Sequence, residues 1–248
     1  MDANQKPGVA LVTGAAKRLG REIALRLARD GWDICVHYAR SENDARTLAQ
    51  DIEALGRRAT LVAQELTEAD AAAKLIGACH KQLGAVTCLV NSAAMFEYDE
   101  AASFTDAQLA QHLAINLQAP LALLRECARQ LPANQQGCVV NIIDQKVAAL
   151  NPDFFSYTVS KLALAESTRL AALAYAPRVR VNAVAPGVSL PSKHQSDANF
   201  ERSQRLAALG YGATPEDIAQ AVSYLVHARA VTGETIVVDG GQVVAVRG

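Results

Sequence analysis

Val9-Ala10-Leu11-Val12-Thr13-Gly14-Ala15-Ala16-Lys17-Arg18-Leu19-Gly20 is the stretch whose reading decides the fold. Val9–Thr13 is a short apolar run ending in a β-branched residue, the pattern of a strand buried on both faces. A glycine and two alanines then make a tight turn, and the apolar spacing from Gly20 to Asp30 predicts a helix. Small residues in such a turn let the backbone approach a pyrophosphate at the positive end of the helix. The same turn can also join strand to helix with no ligand. Arg18 stands where a third glycine is often found, and its guanidinium can reach a phosphate or extend toward a substrate.

Outward from this stretch the alternation repeats. Strands are expected at Asp33–Tyr38, Ala59–Ala63, Thr87–Asn91, Cys138–Ile143, Val179–Ala185 and Thr235–Val238. Helices are expected near Asn43–Leu55, Glu68–Leu83, Asp106–Leu131, Phe154–Ala176 and Pro215–Val226. Gly31 and Gly56 sit where C-terminal caps belong, Thr105…Gln108 resembles a capping box, and Thr214-Pro215 sets a cap before a first-turn proline. Alternating β and α elements imply an α/β fold, a doubly wound seven-stranded parallel sheet flanked by helices on both faces. No repeat, low-complexity tract or linker divides the chain, so residues 1–248 read as a single domain. The longest irregular segment runs from about Val188 to Gly212, beyond a strand's carboxyl end, where such sheets bind ligands. It reads either as a mobile substrate lid or as a plain surface excursion.

Half of the 248 residues are apolar and a fifth are charged, which is ordinary for a soluble enzyme. A net charge of -1 gives no reason to invoke nucleic acid or an anionic membrane. The five cysteines, Cys35, Cys79, Cys88, Cys127 and Cys138, show no C-x-x-C spacing, which argues for reduced thiols in a reducing compartment and against a metal. No apolar run approaches ~20 residues, and Met1–Gly8 lacks the apolar stretch of a signal peptide, so a cytoplasmic location is expected.

Tyr157 and Lys161 lie four residues apart, one helical turn. A phenol keeps its proton to about pH 10, and a neighbouring cation favours phenolate, so the pair suits proton transfer once a hydride donor is at hand. Taken alone the spacing is common and often only surface decoration. The end of the second strand speaks to the donor. NAD binding usually places an Asp or Glu there, whereas His37-Tyr38-Ala39-Arg40-Ser41 has no carboxylate. Arg40, Ser41 and His37 can instead hold a 2′-phosphate, which favours NADPH. Otherwise His37 is a packed strand residue and Arg40 a solvated charge. Asn91-Ser92-Ala93-Ala94 and Pro186-Gly187 put further ligand-compatible backbone on the same edge of the sheet.

Together, Thr13-Gly14…Gly20, Asn91-Ser92-Ala93, Asn116, Tyr157…Lys161, Pro186-Gly187 and Val238-Asp239-Gly240-Gly241 resemble the short-chain dehydrogenase/reductase superfamily over essentially the whole chain. Within it, the glycine turn, His37-Tyr38…Arg40-Ser41 and Pro186-Gly187-Val188-Ser189-Leu190 are similar to the pteridine reductases. The resemblance implies a Rossmann fold that binds NADP(H) through Gly14, Lys17, Arg18, Leu19, Gly20, His37, Tyr38, Arg40, Ser41, Glu65, Leu66, Asn91, Ser92, Ala93, Lys161, Pro186, Gly187 and Ser189. It also implies a homotetramer paired through the long helices, where Leu162, Leu170 and Leu173 can line a face. Where the superfamily usually has a serine, thirteen residues before the tyrosine, this chain has Asp144; pteridine reductases carry an aspartate there. Phe96 sits where those enzymes stack a pterin, although a core role is as compatible with the sequence. Arg18, Leu190 and Ser189 match pterin-side contacts. Ala94, Glu65 and Ser92 depart from the pattern and leave the substrate open.

The activity implied is NADPH-dependent reduction of a C=N bond in a pterin-like ring, in the dihydropteridine or dihydrofolate class. Tyr157, aided by Asp144, supplies the proton, Lys161 lowers the tyrosine pKa, and Asn116 holds a relay water. The alternatives are an NADP-dependent carbonyl reductase, such as a 3-oxoacyl thioester reductase, and a non-catalytic NADP(H)-sensing protein.

Overall fold

The computed structural model describes residues 8–191 and 196–246. Seven strands form one sheet: β1 (Val9–Val12), β2 (Asp33–Tyr38), β3 (Ala59–Ala63), β4 (Val86–Asn91), β5 (Gly137–Ile142), β6 (Val179–Pro186) and β7 (Thr235–Val238). Their order is β3-β2-β1-β4-β5-β6-β7, and every neighbouring pair is parallel. The direction of winding reverses between β1 and β4, which opens a crevice beyond their carboxyl ends.

Alternate residues of the central strands enter opposite cores, as the two-residue period requires. Ala10 and Val12 of β1 pack with α1 (Arg18–Arg29), α2 (Glu42–Ala54) and α8 (Pro215–His227) through Ile23, Leu27, Leu48, Ile52, Ile218 and Val222. Val9 and Leu11 pack on the other face, with α3 (Ala71–Leu83), α5 (Ala119–Gln130) and α6 (Phe155–Tyr175) through Leu75, Cys79, Leu123, Cys127 and Ala172. That double burial explains the continuous apolar runs of the sequence. The expected caps are present: Gly31 and Gly56 have positive φ, and both Thr105–Gln108 and Thr214–Asp217 form complete capping boxes.

Two expected elements differ. The helix anticipated over Asp106–Leu131 is interrupted: α4 (Asp106–Leu113) passes through a π-helical turn, Ala114–Gln118, before α5 begins. The segment 188–212 is not wholly irregular, because α7 (Asp197–Arg205) forms within it; residues 192–195 of the expected lid lie outside the described residues. α7 follows Ser196, whose hydroxyl caps it by accepting from the Asn199 N–H. The chain closes with α9 (Gln242–Val246). Among the described residues, no helix is long and apolar enough to cross a membrane.

Candidate active site

At the end of β1, the Thr13 hydroxyl accepts hydrogen bonds from the backbone N–H groups of Ser92 and Ala93, each at 3.0 Å. It thereby ties the glycine turn to the end of β4. Gly14 has φ +63°, and a Cβ there would lie 3.0 Å from the Ala93 Cα; a Cβ on Gly20 would overlap the Gly14 carbonyl. Both positions therefore require glycine. Lys17, extended at the N-cap of α1, makes no side-chain cap, and the first turn of the helix holds no acid. Its open N–H groups suit an anion, so the cradle fits a dinucleotide pyrophosphate.

His37 plays a part other than the expected phosphate ligand. The ring is 2% exposed; its Nδ1 accepts from the Gly14 N–H at 3.0 Å, and its Nε2 lies 2.8 Å from the Gln64 carbonyl. These partners require the neutral tautomer with the proton on Nε2. Burial holds its pKa below the usual histidine value, against the opposing pull of the Gln64 carbonyl and Glu65. His37 braces the glycine turn from beneath and carries no charge for a phosphate. Tyr38 is likewise not a side-chain ligand, because it is buried in the core with α1 and α2. Arg40 is exposed, and the Ser41 hydroxyl makes no cap at the start of α2. Lys17 pairs with Asp44 at 3.0 Å across the same opening. Leu19 and Leu66 pack partly into the cores, and Glu65 is half-buried beside His37.

The chemical end is built on β5 and α6. Beyond β5, Asp144 is extended and half-buried. The Tyr157 hydroxyl donates to its Oδ2 at 2.9 Å, and the Lys146 N–H donates to its Oδ1 at 2.9 Å. Burial raises the Asp144 pKa, against the bonds from Lys146 and Tyr157 and the charge of Lys161. Tyr157 is pushed well above the ordinary phenol value, first by burial and then by the Asp144 charge. Burial and Asp144 set this direction, rather than the pull expected from Lys161. Lys161 is itself lowered to about 8 by burial; its ammonium donates to the Ile142 carbonyl at 2.8 Å and lies 5.7 Å from the centre of the Tyr157 ring. The free site thus holds the Tyr157 hydroxyl on the Asp144 carboxyl group, with the Lys161 ammonium over the phenol ring.

Asn116 stands in the π-turn. Its side chain is fully buried and both amide hydrogens are committed, to the Met95 carbonyl and the Ser160 hydroxyl, each at 3.0 Å, while its Oδ1 accepts from the Met95 N–H at 2.8 Å. The π-turn presents it to the strand-end loop, where it clamps Met95 beside Phe96. Phe96 stacks on Phe154, with centroids 4.2 Å apart, and meets Tyr157 at 4.7 Å and 83°. An aromatic wall therefore stands against the proton donor. After Pro186 and Gly187, the Val188 N–H is held by Gln242 Oε1 at 3.1 Å, which leaves Ser189 and Leu190 half-buried. Arg18 then donates to the Pro191 carbonyl at 3.1 Å, bringing the start of the expected lid over the glycine turn.

Several supporting residues escaped the sequence reading. Asn141 accepts from Asn91 at 2.8 Å and donates to Thr168 at 2.9 Å, linking two strands and α6 behind the site. Gln242 and Gln204 pin the segment after β6, and Asp239 caps α9 through the Gly241 and Val243 N–H groups. The one signal for Asn141 was a polar residue inside an apolar strand. The five cysteines are all buried and free, with Cys127 pushed up to about 12 and Cys138 to about 11, so they are unreactive. Among the described residues, no group of three His, Cys, Asp or Glu side chains could hold a metal ion.

This geometry, a dinucleotide cradle facing a tyrosine and a lysine one turn apart, defines an oxidoreductase of the doubly wound class. The chain belongs to the short-chain dehydrogenase/reductase superfamily, for residues 14–242 match the family described as enoyl-(acyl carrier protein) reductase. It is 35% identical to an uncharacterised oxidoreductase of Mycobacterium tuberculosis over 243 residues, covering 94% of this chain and 91% of that protein. It is 30% identical to the 3-oxoacyl-(acyl-carrier-protein) reductase FabG of Staphylococcus aureus over 237 residues, covering 94% and 96%. Among solved structures, FolM alternative dihydrofolate reductase 1 from Brucella canis, complexed with NADP, superposes with a TM-score of 0.93 at 38% identity, covering 96% of this chain and 95% of that one.

Proposed function

We propose that the protein is an NADPH-dependent reductase of a pterin-like ring. One observation carries the reading: the 2.9 Å hydrogen bond from Tyr157 to Asp144, where ketone chemistry would favour a neutral serine. An aspartate can relay a proton to the tyrosine and position a nitrogen heterocycle, whereas a serine suits a ketone oxygen better, so the pair favours protonation of a ring nitrogen. The likeness to a dihydrofolate reductase of Brucella canis supports the same choice. The bound dinucleotide supplies the hydride. Gly14, Gly20 and the start of α1 would hold its pyrophosphate, Arg40 and Ser41 its 2′-phosphate, and Lys161 its nicotinamide ribose. Tyr157 delivers a proton to the ring nitrogen; Asp144 orients the phenol and would take a proton from solvent and hand it to the phenolate that is left. Phe96 and Phe154 provide the flat wall against which the ring lies.

Likeness to FabG at 30% identity favours a second reading, reduction of a 3-oxoacyl thioester. An NADPH-oxidation panel across dihydropterins, dihydrofolate and an acetoacetyl thioester separates the two. Turnover of the thioester alone would discard the pterin reading, and tight NADPH binding with no turnover of any would point to a sensor. The proposal extends to a cytoplasmic homotetramer formed from one continuous domain. Five buried thiols without disulfides support the compartment. The exposed Leu170 borders a hollow of about 610 Å³, which Leu121 and Ala174 also line, and with the exposed Leu173 it supports pairing through α5 and α6. Light scattering at micromolar concentration tests the assembly.

A further inference from the structure

Lys146 lies two residues beyond Asp144, and its backbone N–H holds that carboxylate. Its side chain turns along the rim of the site. The ammonium donates to the Asn151 side-chain carbonyl and, at 2.6 Å, to the Asp153 backbone carbonyl, and it lies 5.4 Å from the centre of the Phe154 ring. All these partners are neutral. Among the described residues no carboxylate oxygen stands within ion-pair distance of this ammonium; burial lowers its pKa, against the opposing pull of Asp144 and Asp153. An ammonium carries three hydrogens, and two are used here. Phe154 is held with φ +56° and ψ +54°, an uncommon conformation for a bulky residue, while its ring stacks on Phe96. Tyr157, Phe96, Phe154 and Lys146 thus form a chain of contacts from the phenol to an ammonium with one hydrogen to spare.

We propose that Lys146 is a specificity-determining residue that receives the anionic tail of the substrate. The inference rests on the pterin reading and narrows it to pterins extended through an aryl group to a carboxylate, the chemistry of dihydrofolate. The spacer would run along this chain of contacts, and the carboxylate would accept the third hydrogen of the ammonium.

The test compares kcat/KM for dihydrofolate and for a tail-less dihydropterin in the wild type, Lys146→Gln and Lys146→Arg. Glutamine keeps donors for Asn151 and the Asp153 carbonyl but removes the charge. The expected result is a ratio of dihydrofolate to dihydropterin activity that falls about tenfold in Lys146→Gln, mainly through KM, and is held by Lys146→Arg. Rising salt should raise KM for dihydrofolate in the wild type and leave that of Lys146→Gln flat. An unchanged ratio in Lys146→Gln, or parallel loss on both substrates in both variants, would overturn the inference while leaving pterin reduction intact. Wild-type enzyme that turns over neither substrate would sink the pterin reading itself.

Discussion

The two sides of the crevice hold their ligands in place by different means. On the β1–β2 side, positions are fixed by backbone shape and by neutral hydrogen bonds whose partners are all present. Thr13 bridges two N–H groups, His37 braces a third, and Gly14 and Gly20 leave space that any side chain would fill. On the β5–α6 side, charged groups are held against burial: Asp144 is raised, Tyr157 is raised further, and Lys161 is lowered to about 8. One side is stable by itself and waits for an anion, whereas the other keeps a proton where it can be given away. Recognition is thus built from shape and reactivity from unfavourable electrostatics, so the two should fail separately.

Tyr157→Phe tests that separation most severely. Loss of the proton donor should lower kcat by roughly 10²–10⁴-fold, with the NADPH Kd within twofold of wild type by fluorescence titration. A variant that lost both together would merge the two sides into one. Asp144→Ser should lower pterin turnover by about a hundredfold, near the lower end of what a positioned acid or base contributes, again without weakening NADPH. Undiminished pterin turnover in this variant would remove Asp144 from the chemistry.

The opposite failure is expected from the cradle. Gly20→Ala drives a methyl into the Gly14 carbonyl, so the turn must shift at a cost of about 1–3 kcal/mol. Calorimetry should show NADPH affinity and Tm falling while kcat at saturating NADPH stays near wild type. Arg40→Ala should weaken NADPH by about tenfold, the scale of one hydrogen bond to a charged group, and leave NADH unaffected. Equal weakening of both cofactors would mean that Arg40 does not read the 2′-phosphate.

The smallest effect comes from the brace. His37, and the buried His112 of α4, are both held by burial below the ordinary histidine value of 6.5. On acidification the unfolded chain takes up protons first, so this part of the stability is complete above about pH 6.5 and is lost as pH falls from there through the folded values. Urea titrations at pH 7.5 and 5.5 should show that loss, and a smaller one in His37→Gln. An identical pH dependence in the variant would mean that His37 does not titrate on unfolding.

These differences also explain what was legible in the sequence. The sheet could be read because burial on both faces turns strands into unbroken apolar runs, and Gly14, Gly31 and Gly56 mark turns whose φ few other residues adopt. Tyr157, Lys161 and Asp144 could be read because a helix and a strand end hold them at fixed chain spacing. His37 misled because its type permits a cation, while its state depends on Gly14 and Gln64, partners 23 and 27 residues away in the chain. The Asn116 clamp on Met95 was not legible, because the π-turn that carries it is invisible to a 3.6-residue period. The Phe96–Phe154 wall and the Lys146 staple depend on a loop whose path no periodicity encodes.

The Thr13 hydroxyl has a bearing on the order in which the protein becomes competent during synthesis. It joins residues 13 and 92–93, whereas Asp144 and Tyr157 emerge later. A ribosome lays down the cradle and its brace well before any proton donor exists. A growing chain therefore passes through lengths that contain the glycine turn, its brace and Arg40, but neither Tyr157 nor the Lys161 that follows it.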